Sequence, residues 1–279
     1  MGVYFLKRLE QETSRSIFDS FDLFIGTSAG AINALMLGIN GSSITDIEEF
    51  WTKANLRKIM NQSFIDKTSI LQTRPKYSNV GKKEILSRFF ADKEIGAALK
   101  PVIVTAYDLE KRQPVLISSY KDSKVSVVEA ANASSAAPIY FPTAGMNDGR
   151  WLIDGGIATN NPSLLGYVEA KKLFGTNNIK ILGIGAGLNK RKINGRRSKN
   201  WGALGWLRHD ILGIMLESSL QNEILKDLVG DNYLRVNSSI QKVNRRMDDI
   251  SDQNLIRIKD LSDEWWSKFG KKAINFLNS

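Results

Sequence analysis

The stretch Phe24–Gly30, FIGTSAG, constrains the fold of this chain more than any other feature. A short apolar run leads into a serine that stands between two glycines, and an apolar segment of helical character follows. This pattern is typical of a strand, a tight turn and a helix, because glycine lets the backbone turn sharply and leaves room beside the serine. Ser28 would then lie at a helix N-terminus, where free N–H groups favour a developing negative charge. The alternative is a glycine-rich turn without chemistry.

Further apolar runs alternate with segments of helical pattern along the chain. The apolar runs predict buried strands at Asp22–Ile25, Pro101–Ala106, Val115–Ser118, Trp151–Ile153 and Ile179–Ile184. Helices are predicted at Val3–Glu12, behind a capping box at Thr45-x-x-Glu48, after Asn161-Pro162, and at Leu204–Val229 and Asp252–Leu277. Strands that alternate with helices indicate an α/β fold with a central, mainly parallel sheet flanked by helices.

The composition narrows the possible chemistry. The 279 residues include no cysteine and a single histidine, which argues against disulfides, a cysteine nucleophile, iron–sulfur clusters and histidine-rich metal sites. We therefore expect no cofactor and no metal. The formal charge of +10 favours anionic partners, namely anionic lipid surfaces, acidic proteins or nucleic acid. Nucleic acid is not expected, because no zinc finger, helix-turn-helix or aromatic RNA-binding signature is recognisable in the sequence.

Two arrangements compete to supply the base that a nucleophilic Ser28 needs. A Ser28–Asp154–His209 triad has a plausible chain order, but the 27 residues before Ser28 are too few for the strands that precede the serine in an α/β-hydrolase. His209 also lies in a charged helical stretch that is typical of a solvated face. Asp154 ends an apolar strand and precedes two glycines, which allow a close approach to another segment. A hydrogen-bonded carboxylate can accept the serine proton; the alternative is that Asp154 only caps the following helix.

Four blocks of the sequence, taken together and in order, resemble the patatin-like phospholipase family. They are GTSAG (26–30), ASSAAPIYFP (133–142), DGGIATNNP (154–162) and ILGIGAG (181–187), with weaker likeness at 100–119 and 232–236. The resemblance implies a single patatin-like domain over residues 1–279. Its core would span about 1–187, and a helical C-terminal portion would span about 200–279.

The resemblance also implies an activity and a site. The activity is hydrolysis of lipid acyl esters, of the phospholipase A or lysophospholipase type, through an acyl-enzyme intermediate and without a metal. A Ser–Asp dyad would fall on Ser28 and Asp154, which explains why one histidine suffices. The residues that would support the dyad and form the elbow and oxyanion hole are Gly155 and Gly156, and Gly26, Ala29 and Gly30. The Ala29 amide is the expected first oxyanion donor.

The sequence departs from the family just before the elbow. The family carries an Asp-Gly-Gly-Gly-x-x-Gly loop there, whereas this sequence reads Met1-Gly2 and continues into the helix predicted at Val3–Glu12. The first strand and the glycine-rich oxyanion loop are therefore expected to be missing, and one lost oxyanion donor costs about 10²–10³ in turnover. Three explanations remain: an upstream start, a natural truncation, or another segment or partner that fills the gap.

Two other functions are alternatives to a lipid hydrolase. A catalytically weak or inactive patatin-fold protein that binds lipid would agree with the missing loop. An esterase or peptidase that acts on substrates other than lipids would share the elbow.

The basic segment 189–200 and the tryptophans after it predict peripheral contact with an anionic membrane. Its cations are Lys190, Arg191, Lys192, Arg196, Arg197 and Lys199, and each is worth roughly 1 kcal/mol near anionic lipid. Trp201 and Trp206 suit an interfacial depth; the alternative is a solvated loop with two core tryptophans. Cytoplasmic residence is expected because no membrane span or secretory signal is recognisable, although delivery by a specialised secretion system would leave the same sequence. Asn55–Asn79 is a candidate lid by its position.

Overall fold

The computed structural model describes residues 1–61, 74–189, 192–202, 205–206, 220–240, 242–244 and 246–279. The strands are β1 (Phe24–Thr27), β2 (Val102–Asp108), β3 (Gln113–Ser118), β4 (Ala144–Gly145), β5 (Trp151–Asp154), β6 (Ile181–Ile184) and β7 (Tyr233–Val236). The helices of the N-terminal half are α1 (Gly2–Thr13), α2 (Ile17–Ser20), α3 (Ala29–Asn40), α4 (Ile44–Phe50), α5 (Lys53–Ile59), α6 (Val80–Phe90) and α7 (Val127–Ser134). Those of the C-terminal half are α8 (Ser163–Phe174), α9 (Gly195–Ser198), α10 (Leu220–Val229) and α11 (Asp252–Asn278).

The predicted α/β fold, with a central sheet flanked by helices, is confirmed, but its strands are mixed rather than mainly parallel. In the five-stranded sheet β1 and β2 are parallel, whereas β3 and β5 both pair antiparallel with β2, and β4 pairs antiparallel with β5. A second sheet holds the parallel pair β6 and β7. The connections explain two of these antiparallel pairs: four residues join β2 to β3 and five join β4 to β5, and short turns allow only antiparallel neighbours.

Two strands meet end to end on one edge of β2. Because β3 pairs with Ile103–Asp108 along one edge, β1 and β5 must share the other edge. There β1 pairs with Val102–Thr105 and β5 with Ala106–Asp108. The two strands run toward each other, so the last residue of β1 lies opposite Thr105 and the last residue of β5 lies opposite Ala106. Their carboxyl ends therefore meet at adjacent positions of β2.

The core forms around α3, which is apolar on nearly all sides. The residues Ala31 to Ile39 of this helix are buried except for Asn33, as expected of a helix that neighbouring elements cover all round. It contacts β1 and β2 on the sheet and also packs against α6 and α7. This packing holds the N-terminus of α3 next to the end of β1.

The terminal helices α1 and α11 pack against each other. The ring of Trp266 lies 5.3 Å from that of Phe5, and Trp265 is only 1% exposed. A single 27-residue helix thus occupies the region where Asp252–Leu277 was predicted. Residues 200–279 are not helical throughout, because β7 pairs with β6 in their middle. The prediction of one domain over 1–279 stays a prediction.

The helix predicted from a capping box at Thr45 begins earlier than expected. Ser43 is its N-cap: the Ser43 hydroxyl accepts from the Asp46 N–H at 3.2 Å, and the Asp46 carboxylate accepts from the Ser43 N–H at 2.9 Å. A Ser-x-x-Asp pair satisfies the same two N–H groups as Ser-x-x-Glu, so the shorter acid replaces the predicted Glu48. This helix ends at Phe50.

Candidate active site

Ser28 occupies a strained turn between β1 and α3. Its backbone has φ 55° and ψ −124°, a combination that is rare for a residue with a side chain and costs of order 1–3 kcal/mol. The surrounding structure holds it there: the Ser28 N–H donates to the Ser134 hydroxyl at 3.0 Å, and the Ser28 carbonyl accepts from the Ala31 N–H at 3.0 Å. A Cβ on Gly26 would lie 2.2 Å from the Gly30 carbonyl oxygen. Only glycine therefore fits at position 26, two residues before the serine.

Asp154 ends β5 and lies beside this turn. Its Oδ2 accepts a hydrogen bond from the Ser28 hydroxyl at 2.5 Å, and its Oδ1 accepts from the Gly156 N–H at 2.8 Å. The residue is 6% exposed. Each carboxylate oxygen thus accepts a hydrogen bond. One donor is the Ser28 hydroxyl, which would have to lose its proton for the serine to act as a nucleophile.

Burial raises the pKa of Asp154 above its ordinary value, while the hydrogen bonds from Ser28 and Gly156 and the charge of Lys82 act in the opposite direction. Desolvation disfavours the charged form of a carboxyl group, whereas donors and a nearby cation favour it. A carboxylate with a raised pKa is a stronger base than an ordinary aspartate. Burial thus increases the affinity of Asp154 for a proton.

Three threonines tie the two strand ends together. The Thr27 hydroxyl donates to the Thr159 carbonyl at 2.9 Å and lies 2.8 Å from the Thr105 hydroxyl. The chain after Asp154 passes so close to β2 that a Cβ on Gly155 would lie 2.2 Å from the Thr105 hydroxyl oxygen and 2.5 Å from its carbonyl carbon. Glycine at 155 is therefore what allows the carboxylate to reach the serine.

Ala29 and Gly30 form the open side of the site. They are the first two residues of α3, and both are exposed. The first N–H groups of a helix have no partner within the helix, and the helix dipole adds positive potential there. A Cβ on Gly30 would meet no atom within 4 Å. The arrangement can place an acyl carbonyl against Ser28 with its oxygen near these amides.

Ser134 and Ala136 hold the backbones of Ser28 and Asp154, a role that the sequence did not reveal. Ser134 ends α7 and its hydroxyl accepts from the Ser28 N–H, while the carbonyl of Ala136, two residues later, accepts from the Asp154 N–H at 3.1 Å. The block ASSAAPIYFP was noted only for its family likeness. Its run of small residues after a helix was the available signal, because small side chains let backbones approach closely.

The structure brings together Ser28, Asp154 and the glycines predicted beside them, and their catalytic roles stay predictions. His209, Lys190 and Arg191 lie outside the described residues, as do residues 62–73 of the candidate lid. The described part of that lid includes Lys76 and Tyr77, whose N–H groups donate to the carbonyls of Ile139 and Tyr140.

The described cations of the basic segment are all exposed: Lys192, Arg196, Arg197 and Lys199. The rings of Trp201 and Trp206 pack edge to face at 5.4 Å. Within the described ranges, no helix is both long and apolar enough to span a membrane. Over the same ranges, no cluster of three or more acidic or histidine side chains is arranged to hold a metal ion.

Fold and site together define an α/β protein in which a serine on a strand-to-helix turn is hydrogen-bonded to an aspartate at a strand end. The family model of patatin-like phospholipases matches residues 1–165. This match covers more than half of the chain, and the chain therefore belongs to the patatin-like phospholipase family. Membership in this family implies hydrolysis of lipid acyl esters.

Curated relatives come from plants and bacteria. Patatin-like protein 1 of Arabidopsis thaliana is 28% identical over 83% of this chain and 67% of its own length. Patatin-like protein 2 of the same plant is 27% identical, over 74% of this chain and 60% of its own. The cGAMP-activated phospholipase of Pseudomonas aeruginosa is 28% identical, over 83% and 72%. The chain thus spans between 60% and 72% of the length of these relatives.

The crystal structure of VipD from Legionella pneumophila is similar in fold. It matches 99% of this chain and 64% of its own chain, with a TM-score of 0.52 and 15% sequence identity. At this identity the match supports the fold alone.

We predict that Gly155→Ala destabilises the protein and separates the two side chains. The added methyl group would overlap Thr105, and overpacking of this kind costs about 1–3 kcal/mol. Gly195→Ala is the control, because a Cβ there meets no atom within 4 Å; it should change the unfolding free energy by less than about 0.5 kcal/mol. Urea unfolding followed by tryptophan fluorescence measures both, and equal stability of the two variants would contradict the close approach.

Proposed function

We propose that this protein is a serine hydrolase that cleaves acyl esters of phospholipids or lysophospholipids, with Ser28 as nucleophile and Asp154 as general base. The observation that carries the proposal is the 2.5 Å hydrogen bond from the Ser28 hydroxyl to the Asp154 carboxylate. A base within this distance meets the geometric requirement for proton transfer. Family membership supports the substrate class.

In the proposed first step, Asp154 accepts the Ser28 proton as Ser28 Oγ attacks the acyl carbonyl carbon. Negative charge develops on the carbonyl oxygen, and the N–H groups of Ala29 and Gly30 at the start of α3 stabilise it. The C–O bond to the leaving alcohol then breaks, and Asp154 returns the proton to that alcohol. The result is an acyl ester on Ser28 and a lysolipid or glycerol derivative that leaves with a free hydroxyl group.

In the proposed second step, a water molecule replaces the alcohol. The water oxygen attacks the acyl carbonyl carbon while Asp154 accepts a proton from the water. Asp154 then passes this proton to Ser28 Oγ as the bond between Ser28 and the fatty acid breaks. Asp154 is therefore an ionised base at the start of each half-reaction. The hydrogen bond from Gly156 keeps the other carboxylate oxygen in place, so the base holds one orientation through both.

An acyl chain can find apolar surface beside the dyad. Ile157 follows the two glycines after Asp154 and is 43% exposed. We propose that this exposed apolar side chain contacts the acyl chain of a lipid substrate.

We further propose that the protein resides in the cytoplasm and works at the surface of an anionic membrane through its basic segment. Lys192, Arg196, Arg197 and Lys199 are exposed, and such cations are attracted by anionic headgroups. The short helix α9 holds two of them, and the Asn194 side chain caps it by accepting from the Arg197 N–H at 3.0 Å.

Changing these four cations to glutamine should weaken binding to vesicles of phosphatidylserine and phosphatidylcholine. Each cation is worth roughly 1 kcal/mol at such a surface, so the bound fraction in a sedimentation assay should fall strongly. Binding to pure phosphatidylcholine vesicles should not change. Unaltered binding to the anionic vesicles would contradict the proposed contact.

Acyl release from phospholipid micelles by four proteins tests the function. Ser28→Ala and Asp154→Asn should each lower the rate by about 10³-fold or more, because each removes one member of the proposed dyad. His209→Ala is the comparison that separates dyad from triad, and it should retain a rate close to that of the wild type. Activity that survives in Asp154→Asn and is lost in His209→Ala would contradict the dyad.

Folded wild-type protein that binds the micelles and releases no fatty acid would favour the alternative function, a lipid-binding protein without catalysis. Release from short soluble esters alone would favour an esterase that does not act on lipids.

A further inference from the structure

Lys82 is a buried cation to which the proposed mechanism gives no role. It lies near the start of α6 and is 2% exposed. Its Nζ donates to the Ser135 carbonyl at 3.0 Å, to the Ser135 hydroxyl at 3.3 Å and to the Asn132 carbonyl at 3.4 Å. It also lies 4.1 Å from the centre of the Phe141 ring. These acceptors are neutral, and burying an ammonium group without an ion-pair partner costs folding free energy.

The carbonyls that hold Lys82 belong to the C-terminal end of α7. The last carbonyls of a helix lack partners within the helix and bear the negative end of its dipole. A cation placed there satisfies these oxygens and fixes the last turn. The Ser135 hydroxyl completes the arrangement by donating back to the Ala131 carbonyl at 2.7 Å. Lys82 therefore fastens the end of α7 to α6.

This end of α7 also holds both members of the dyad. Ser134 accepts from the Ser28 N–H, and the Ala136 carbonyl accepts from the Asp154 N–H. Ser135, which Lys82 contacts twice, lies between these two anchor residues. Any shift of the last turn of α7 would thus move the backbones of Ser28 and Asp154 relative to each other.

Lys82 and Asp154 also act on each other through their charges. Burial lowers the pKa of Lys82 to about 7, and the Asp154 charge is what opposes this decrease. In return the Lys82 charge lowers the pKa of Asp154 against the effect of its burial. The other charge that acts on Lys82 is that of Lys83, on the same helix, and it lowers the Lys82 pKa further.

The remaining elements around the dyad leave this pair undisturbed. The sequences of α3 and β1 contain no ionisable side chain. On α7, Glu129 accepts a hydrogen bond from the Asn147 N–H, and at the end of β2 Asp108 accepts from the N–H groups of Glu110 and Lys111. Among α6 and the elements just named, the cation whose charge acts on Asp154 is Lys82, which lies on α6.

We propose that Lys82 is a positioning residue for the dyad: its ammonium group holds the end of α7 that aligns Ser28 with Asp154, and its charge favours the ionised form of Asp154. The assignment rests on the proposed function, because it concerns the same dyad. It predicts that removal of this one charge makes Asp154 harder to ionise.

Lys82→Met tests the proposal, because methionine has a similar length and no charge. Lys83→Met is the matched control, since it makes the same change at the next residue of α6, where the side chain is exposed. The measurement is the ¹³Cγ chemical shift of Asp154 against pH in protein labelled with ¹³C-aspartate, with the signal identified by its absence in Asp154→Asn. This titration can be followed whether or not the protein hydrolyses a substrate.

We expect Asp154 in Lys82→Met to titrate at a higher pH than in the wild type, because the Lys82 charge lowers the pKa of Asp154 and the variant lacks that charge. Lys83→Met should titrate as the wild type does. Lys82→Arg keeps the charge, so its midpoint should lie closer to that of the wild type than to that of Lys82→Met. Equal midpoints in wild type, Lys82→Met and Lys83→Met would overturn the proposal.

The wild type alone supplies a second measurement in case Lys82→Met does not fold. Burial lowers the pKa of Lys82 to about 7, so the Asp154 signal should show a second, smaller inflection at the pH where the ammonium loses its proton. An Asp154 signal with a single inflection over the whole pH range in which the protein is folded would overturn the proposal.

Hydrolysis of a soluble short-chain ester separates this proposal from the function on which it rests. In Lys82→Met kcat should fall while KM changes little, and the acidic limb of the rate profile should move up in pH with the Asp154 midpoint. A merely structural role would lower stability without moving that limb, and an unmoved limb would overturn the proposal. A different outcome is that the wild type hydrolyses no ester while Asp154 still titrates at a higher pH in Lys82→Met. This outcome would overturn the proposed function and leave the effect of Lys82 on Asp154 in place.

Discussion

The site depends on the end-to-end meeting of β1 and β5 along one edge of β2. One strand arrives parallel to β2 and the other antiparallel, so their carboxyl ends face each other opposite Thr105 and Ala106. Neither chain can continue straight, because the other strand blocks it. Both must turn at this point, one into α3 and the other into the short turn Gly155–Ile157. Ser28 and Asp154 are the residues at the two turns, and this is why residues 126 positions apart share a hydrogen bond.

This geometry is maintained by polar groups that satisfy one another. Thr27, Ser134 and the Ala136 carbonyl supply the contacts that fix the two turns, and the strained backbone of Ser28 persists because they hold it. Burial raises the pKa of Asp154, whereas its hydrogen bonds and Lys82 limit that increase. Burial therefore increases the affinity of Asp154 for a proton, while its hydrogen bonds and the Lys82 charge favour the ionised form.

The sequence predicted those parts of the site that depend on local pattern. It did not predict the parts that depend on contacts between segments distant in the chain. The elbow at Ser28 and the strand that ends in Asp154 follow from apolar runs bounded by glycines, and the structure has them at those places. The direction of β3 and β5 depends on which strand they pair with, and the pattern of one segment does not contain that information. The same holds for Lys82, whose hydrogen-bond partners lie about 50 residues away in the sequence.

The central claim is that Ser28 is a nucleophile which Asp154 activates, and a phosphonate adduct tests it most directly. A fluorophosphonate loses fluoride when an activated serine attacks its phosphorus, and mass spectrometry of the digested protein locates the adduct. We expect one adduct, on the peptide that contains Ser28, and we expect it to form at least about 10²-fold more slowly in Asp154→Asn. An adduct on another serine, or equal labelling rates in wild type and Asp154→Asn, would contradict it.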